Sequence, residues 1–147
     1  MSALLVGQAP SRTTGRPWAS DAGRRLARHM GTTHDALLRA FRPRNLNAEH
    51  PGAVGKYDRF DLDEARATAR HMLRYVIPRY DVALVCGVAT ARCLGMEAPG
   101  VARVGRCTVY AIPHPAGTSM WWNDPENRET GALLAREAWL HAGEAAR

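Results

Sequence analysis

The run Asp81–Cys86 (DVALVC) does most to limit what this chain can fold into. It is apolar at every position after the aspartate, and Gly87 ends it. That is the pattern of a strand covered on both faces of a parallel sheet. The segment before it is helical in pattern. From about Asp61, residues Leu62, Ala65, Ala69, Met72, Leu73 and Val76 fall on one 3.6-residue stripe that Pro78 closes. After Gly87 comes a small-residue helix, Val88 to Leu94. The alternation recurs on either side. Ala3–Gly7 reads as a short buried strand stopped by Gly7 and Pro10. Ser20 is placed to cap a helix that carries Ala22, Leu26, Ala27 and Met30 and stops at Gly31. A second short helix is expected over about 34–41. A short strand follows from Arg42 and ends at Asn45-Leu46-Asn47. Residues 48–60, with Pro51, Gly52 and Gly55, read as a loop. Cys107–Ile112 is a further strand. The last helix starts after Asp124 with Pro125 at its first position and runs through Leu133, Leu134 and Leu140. The expected fold class is therefore α/β. We expect a three-layer α/β/α sandwich with a central, mainly parallel four-stranded sheet, in one domain over residues 1–147.

Composition narrows the functional classes. A chain of 147 residues buries a real core as one domain. No apolar run nears the roughly 18 residues of a membrane span. Ala3 to Val6 lacks the charged lead of a signal peptide, so a cytoplasmic protein with no membrane partner is expected. Cys86, Cys93 and Cys107 are odd in number and form no C-x-x-C pair. They read as free thiols rather than as a disulfide framework or a metal site. The net charge is +6 and unevenly placed, with eight arginines between Arg12 and Arg44 against Asp21 and Asp35. A polyanion is the partner such clustering suggests, and Arg is suited to bidentate phosphate contacts. Lys56 is the sole lysine, so arginine usage also reflects a general bias.

Two strand ends carry unusual turns. Val6-Gly7-Gln8-Ala9-Pro10-Ser11 follows the first strand, and Ile112-Pro113-His114-Pro115-Ala116 closes the last. In open α/β sheets, ligands bind outside the carboxyl ends of the strands. An amide, an imidazole, free backbone N–H groups and a basic rim would then face one pocket, suited to chemistry on a nucleotide.

At these residues the chain resembles the uracil-DNA glycosylase superfamily. Gly7 to Leu26 (GQAPSRTTGRPWASDAGRRL) is similar to its first motif in the thermophile-type enzymes: a G-x-A-P turn, a Gly-Arg-x-aromatic step, then a small residue, Asp and Gly opening a helix. Asp61–Leu94 resembles their central block, and Pro113-His114-Pro115-Ala116 their closing H-P-S motif. The resemblance implies hydrolysis of the glycosidic bond of uracil or a related altered base flipped out of DNA. It implies Trp18 as the aromatic stacked on the base. It implies Asn45 as the amide that reads the base edge, with Asn47 as the substitute. His114 becomes the donor to the leaving base, an electrostatic role worth roughly 3 kcal/mol. Gln8 and Ala9 line the base in the first turn, where many members carry an acidic residue or Asn. Gln8 would hold the water there, since it cannot act as a base. Asp21 becomes the catalytic carboxylate, or a residue that caps its helix and complements the dipole. Contacts to DNA would come from Ser11, Arg12, Arg16, Thr118 and Ser119, with Ala116 replacing the usual Ser. Met120 or Trp121 would wedge into the duplex. The alternative for the tryptophans is packing under the last helix.

The thermophile-type relatives hold an iron–sulfur cluster on four cysteines that this chain lacks, so no cofactor and no metal are expected. Lys56 lies outside every motif, so no lyase step is expected. A monomer is the expected oligomeric state. Two other readings remain open: a non-catalytic module of the same fold that binds DNA or a base, and a hydrolase of nucleosides or nucleotides.

Overall fold

A computed structural model describes residues 3–9, 16, 18–48, 53–54, 57–58, 60–116 and 119–146. Among them the elements run β1 (Ala3–Gly7), α1 (Asp21–Met30), α2 (His34–Ala40), β2 (Arg42–Asn45), β3 (Ala53–Val54), β4 (Tyr57–Asp58), α3 (Leu62–His71), β5 (Val82–Cys86), α4 (Val88–Cys93), β6 (Gly100–Val104), β7 (Cys107–Ile112) and α5 (Pro125–Ala145). The main sheet has the order β2-β1-β5-β7-β6. Its first four strands are parallel, and β6 pairs antiparallel with β7. The α/β expectation holds, with five strands in place of four.

The layers follow from side-chain alternation along each strand. Ala3, Leu5, Val82, Leu84, Cys86 and Ile112 face α1, α2 and α5, where Leu26, Met30, Leu37, Ala135 and Ala138 meet them. Leu4, Val6, Ala83, Val85, Val109 and Ala111 face the other way, toward Ala65, Ala69, Met72, Ile77 and Leu94. Every residue of β1 and β5 is buried. That is why both read as unbroken apolar runs. Each of the larger ones contributes roughly 1.5–3 kcal/mol by leaving water.

The chain leaves β1 toward β2 on one side, then crosses to β5 on the other side of β1. The switch point of the sheet therefore lies at the carboxyl ends of β1 and β5. The turns after β1, β2, β5 and β7 all open on that edge.

Three local expectations change. β6 was hidden because none of its residues is fully buried: Val101 and Arg103 are exposed, and Gly100, Ala102 and Val104 are half-buried. It is an edge strand joined to β7 through the two-residue turn Gly105-Arg106, where Gly105 has a φ of 61°. The 48–60 loop contains the antiparallel pair β3–β4. The helix from Asp61 is not uniform. After α3 it widens to a π turn over Met72–Val76 and tightens to a 3-10 turn over Ile77–Arg79. The Ile77 N–H reaches back five residues to the Met72 carbonyl. Pro78, in the next position, has no N–H to continue the ladder.

Candidate active site at the carboxyl edge

The site begins with the pairing of β1 and β2. Gly7 stands opposite Asn45. The pairing continues past the strands, since the Leu46 N–H donates to the Gly7 carbonyl (3.0 Å) and the Asn47 N–H to the Gln8 carbonyl (2.8 Å). The Gln8 turn is thus held by β2. A Cβ on Gly7 would lie 2.7 Å from Asn45 Oδ1 and 3.0 Å from Trp18 Cζ2. Only glycine lets the indole and the amide approach β1 this closely.

Trp18 is buried and has a φ of 60°, in the left-handed region. Its carbonyl accepts a hydrogen bond from His34 Nε2 at 2.8 Å. A Cβ on Gly23 would overlap that same carbonyl. The glycine in the first turn of α1 and the histidine at the start of α2 therefore hold Trp18 in place. The His114 ring lies 5.8 Å from the indole, tilted by 49°. Trp18 thus meets Asn45 across Gly7 and His114 at its ring, and half-buried Gln8 and Ala9 follow Gly7 in the chain.

The two asparagines have different surroundings. Asn47 is fully buried, and its amide bonds Asp61 twice: Nδ2 donates to the Asp61 carbonyl and Oδ1 accepts the Asp61 N–H, both at 3.0 Å. Asp61 in turn caps α3 through the Glu64 N–H. Asn47 is committed to fastening α3. Asn45 Oδ1 is buried and has no hydrogen-bond partner, and the same is true of Trp18 Nε1.

Asp21 is not brought to this set. It begins α1 with its side chain 85% exposed, and the Arg24 guanidinium donates to it at 2.6 Å. That bond and the charge of Arg24 lower its pKa. It stands in the first turn of α1, in solvent and paired with Arg24. Ser20 occupies the N-cap position, but its side chain makes no capping bond.

On the β7 side, Trp122 Nε1 donates to the His114 carbonyl at 3.0 Å. The Trp122 ring stacks on His29 of α1 at 4.4 Å and 19°. A Cβ on Gly131 of α5 would overlap the Trp122 ring. Trp121 stands edge-on to Trp122 at 5.0 Å and packs against the α5 side of the core. For these two the packing alternative describes the geometry, and Trp121 is not presented as a wedge. Met120 is 70% exposed beside them. The Ser119 N–H closes a turn onto the Ala116 carbonyl. Ser11, Arg12 and Thr118 lie outside the described residues.

Gly131, His29 and His34 were not singled out from the sequence, and Trp122 was named only in the Trp121-Trp122 doublet. Their only sign is the Trp121-Trp122 doublet nine residues before a helical glycine, and its meaning depends on the fold. Arg16, Arg24, Arg25, Arg28, Arg42 and Arg44 are all exposed, so their positive charge faces solvent. Burial pushes the Cys107 thiol up to about 12 and also raises that of Cys86, which keeps both thiols protonated at neutral pH. Among the described residues no cluster of His, Cys, Asp and Glu could hold a metal ion. No helix among them is long and apolar enough to cross a membrane. A concavity of about 690 Å³ opens at the opposite, amino edge, beside Arg39, Asp81, Arg106 and Trp139. It contains none of the residues above.

Set against known proteins, the chain matches the uracil DNA glycosylase superfamily over residues 2–139. No curated protein matches it.

Proposed function

This chain belongs to the uracil DNA glycosylase superfamily, and from that premise we propose that it hydrolyses the N-glycosidic bond of uracil, or of a related altered base, flipped out of DNA. Membership supports glycosylase-type action on DNA. The choice of base and the residue roles are our reading. The observation that carries it is Trp18 at the carboxyl edge of the sheet, meeting Asn45 across Gly7 and lying beside the His114 ring.

The glycosidic bond is out of reach inside a duplex, so the base must leave the stack. As the bond between C1′ and the base nitrogen lengthens, the sugar becomes oxocarbenium-like and the base gains negative charge on its carbonyl oxygens. His114 is assigned to donate to that developing oxyanion. Asn45 is assigned to read the base edge, Trp18 to line the pocket, and Gln8 to orient the attacking water. The oxocarbenium carbon is electrophilic enough that water need only be positioned. The water oxygen bonds to C1′, and the departing base keeps the electron pair of the broken C1′–N bond. The proton that the water loses neutralises that base anion by way of solvent. The exposed Asp21 is assigned to the start of α1 and not to proton transfer. The arginines of α1 and Arg16 supply a positive rim for phosphates, and Met120 takes the wedge role.

The test is a panel of oligonucleotides with different altered bases, followed by strand cleavage at any abasic site. Release of uracil or a related base is expected, falling about 100-fold or more in His114→Ala. No release from any substrate would sink the glycosylase reading. The exposed, Arg-paired state of Asp21 favours one other reading, a module that binds without cutting. Tight, salt-sensitive binding of these DNAs with no base release would favour that module instead.

A further inference from the structure

Arginine is spread over much of this surface, but its balance against acid is uneven. The long helix α5 carries two arginines and four glutamates. The segment from Ala65 to Tyr80 carries four arginines and His71, with no aspartate or glutamate. A general preference for arginine does not explain that contrast. Arg66, Arg70 and Arg74 recur every fourth residue, a spacing that makes side chains neighbours along a helix. All three are exposed, as is Arg79 beyond them. Among the described residues no carboxylate pairs with any of the four. The helix packed against α3, α4, adds Arg92 and no acid. Asp63 and Glu64 stand in the first turn of α3, and Glu64 accepts the Ala48 N–H. They separate the arginine stripe from the carboxyl edge.

The far end of the stripe passes through the π turn at Met72–Val76. Tyr75 lies in that turn, 49% exposed. The Arg74 guanidinium lies over its ring, 5.3 Å from the centroid, and the His71 ring lies 5.2 Å away, tilted by 48°. Turns of this kind recur at functional sites, and this one carries an exposed aromatic ring. A row of guanidiniums suits a line of phosphates. An exposed ring beside that row suits an unpaired base, whose flat face a duplex hides.

We propose that the outer face of α3 and its π turn binds single-stranded DNA, at a surface separate from the candidate active site. Arg66, Arg70 and Arg74 contact phosphates, and a base stacks on Tyr75. The proposal goes beyond the glycosylase reading, because it needs neither an altered base nor bond cleavage.

The test is binding of an undamaged, fluorescently labelled thymidine oligonucleotide by the full chain over a range of salt. Arg66→Gln/Arg70→Gln/Arg74→Gln should weaken binding about tenfold or more. It should also make the salt slope shallower by about 2, since each phosphate contact on a single strand contributes about 0.7. An equal loss of charge elsewhere, Arg39→Gln/Arg103→Gln/Arg136→Gln, should change affinity by no more than about threefold. Tyr75→Leu should weaken binding about tenfold with the salt slope unchanged, and Tyr75→Phe should keep the parent's affinity. Matching losses in the two triple variants would reduce the stripe to general charge and overturn the proposal. Unaltered binding in Tyr75→Leu, or no binding by the parent protein, would overturn it too. Equal weakening toward a blunt duplex of the same length would reassign the stripe to duplex backbone and overturn the single-strand assignment. Base release plays no part in the measurement, so either reading can fail while the other stands.

Discussion

The two ends of the carboxyl edge use the same residue types for opposite purposes. At the β7 end, Trp122 is bound on every side: its N–H is on the His114 carbonyl, its face on His29, and its rim against Gly131. At the β1–β2 end, Trp18 is as deeply buried, yet its N–H and the neighbouring Asn45 oxygen have no partner. Residue type does not distinguish these tryptophans, whereas hydrogen-bond satisfaction does. A satisfied indole holds the scaffold, whereas an unsatisfied one carries a desolvation cost that its packing has to offset.

The largest effect should come from the scaffold end. Gly131→Ala puts a methyl group into the Trp122 ring and should cost about 3 kcal/mol by overpacking. Against a helix-propensity gain of about 1 kcal/mol, the net loss should still be plain in a denaturation curve. A variant more stable than the parent would show that the Trp122 seat is not tight. Next are the two asparagines. Asn47→Ala leaves the Asp61 N–H and carbonyl unpaired and should cost about 2 kcal/mol. Asn45→Ala removes an atom that had no partner, and should stay within about 0.5 kcal/mol. Equal losses would erase the distinction between satisfied and open amides.

A smaller effect is expected at His29. Burial, and then the charges of Arg28, Arg25 and Arg128, lower its pKa in the folded protein. The unfolded chain therefore takes up the proton first. The contribution of neutral His29 is complete above the unfolded value of about 6.5. It is lost as pH falls from there through the lower folded value. Melting temperature should drop more steeply between about pH 7 and 5 in the parent than in His29→Gln. Parallel curves would remove His29 from the Trp122 support. The smallest effect belongs to Asp21, whose carboxylate faces solvent. Asp21→Ala should change base release by no more than about twofold. A tenfold loss would bring Asp21 back as the water-directing carboxylate.

Where the chain announces its structure, the cause is local. The unbroken apolar runs of β1 and β5, the stripe of α3, and Asp124 with Pro125 at the start of α5 each depend on residues a few positions apart. So does the placing of turns at strand ends, which located the candidate site. β6 escaped because an edge strand with one half-solvated face has no apolar run to show. The residues of the site were legible in part: Trp18, Asn45 and His114 come together, and Asp21 does not join them.

What the sequence determined by itself was therefore the alternation of strands and helices, the layered sheet, and the edge on which its turns collect. Only the tertiary structure decided which polar groups were consumed and which left open. Asn47 meets Asp61 fourteen positions away, His34 meets Trp18 sixteen away, and Trp122 settles against Gly131 of a different element. A hydrogen bond or a steric seat needs both partners in place. Periodicity reports only which face a residue occupies, and the fold alone supplies what waits on that face.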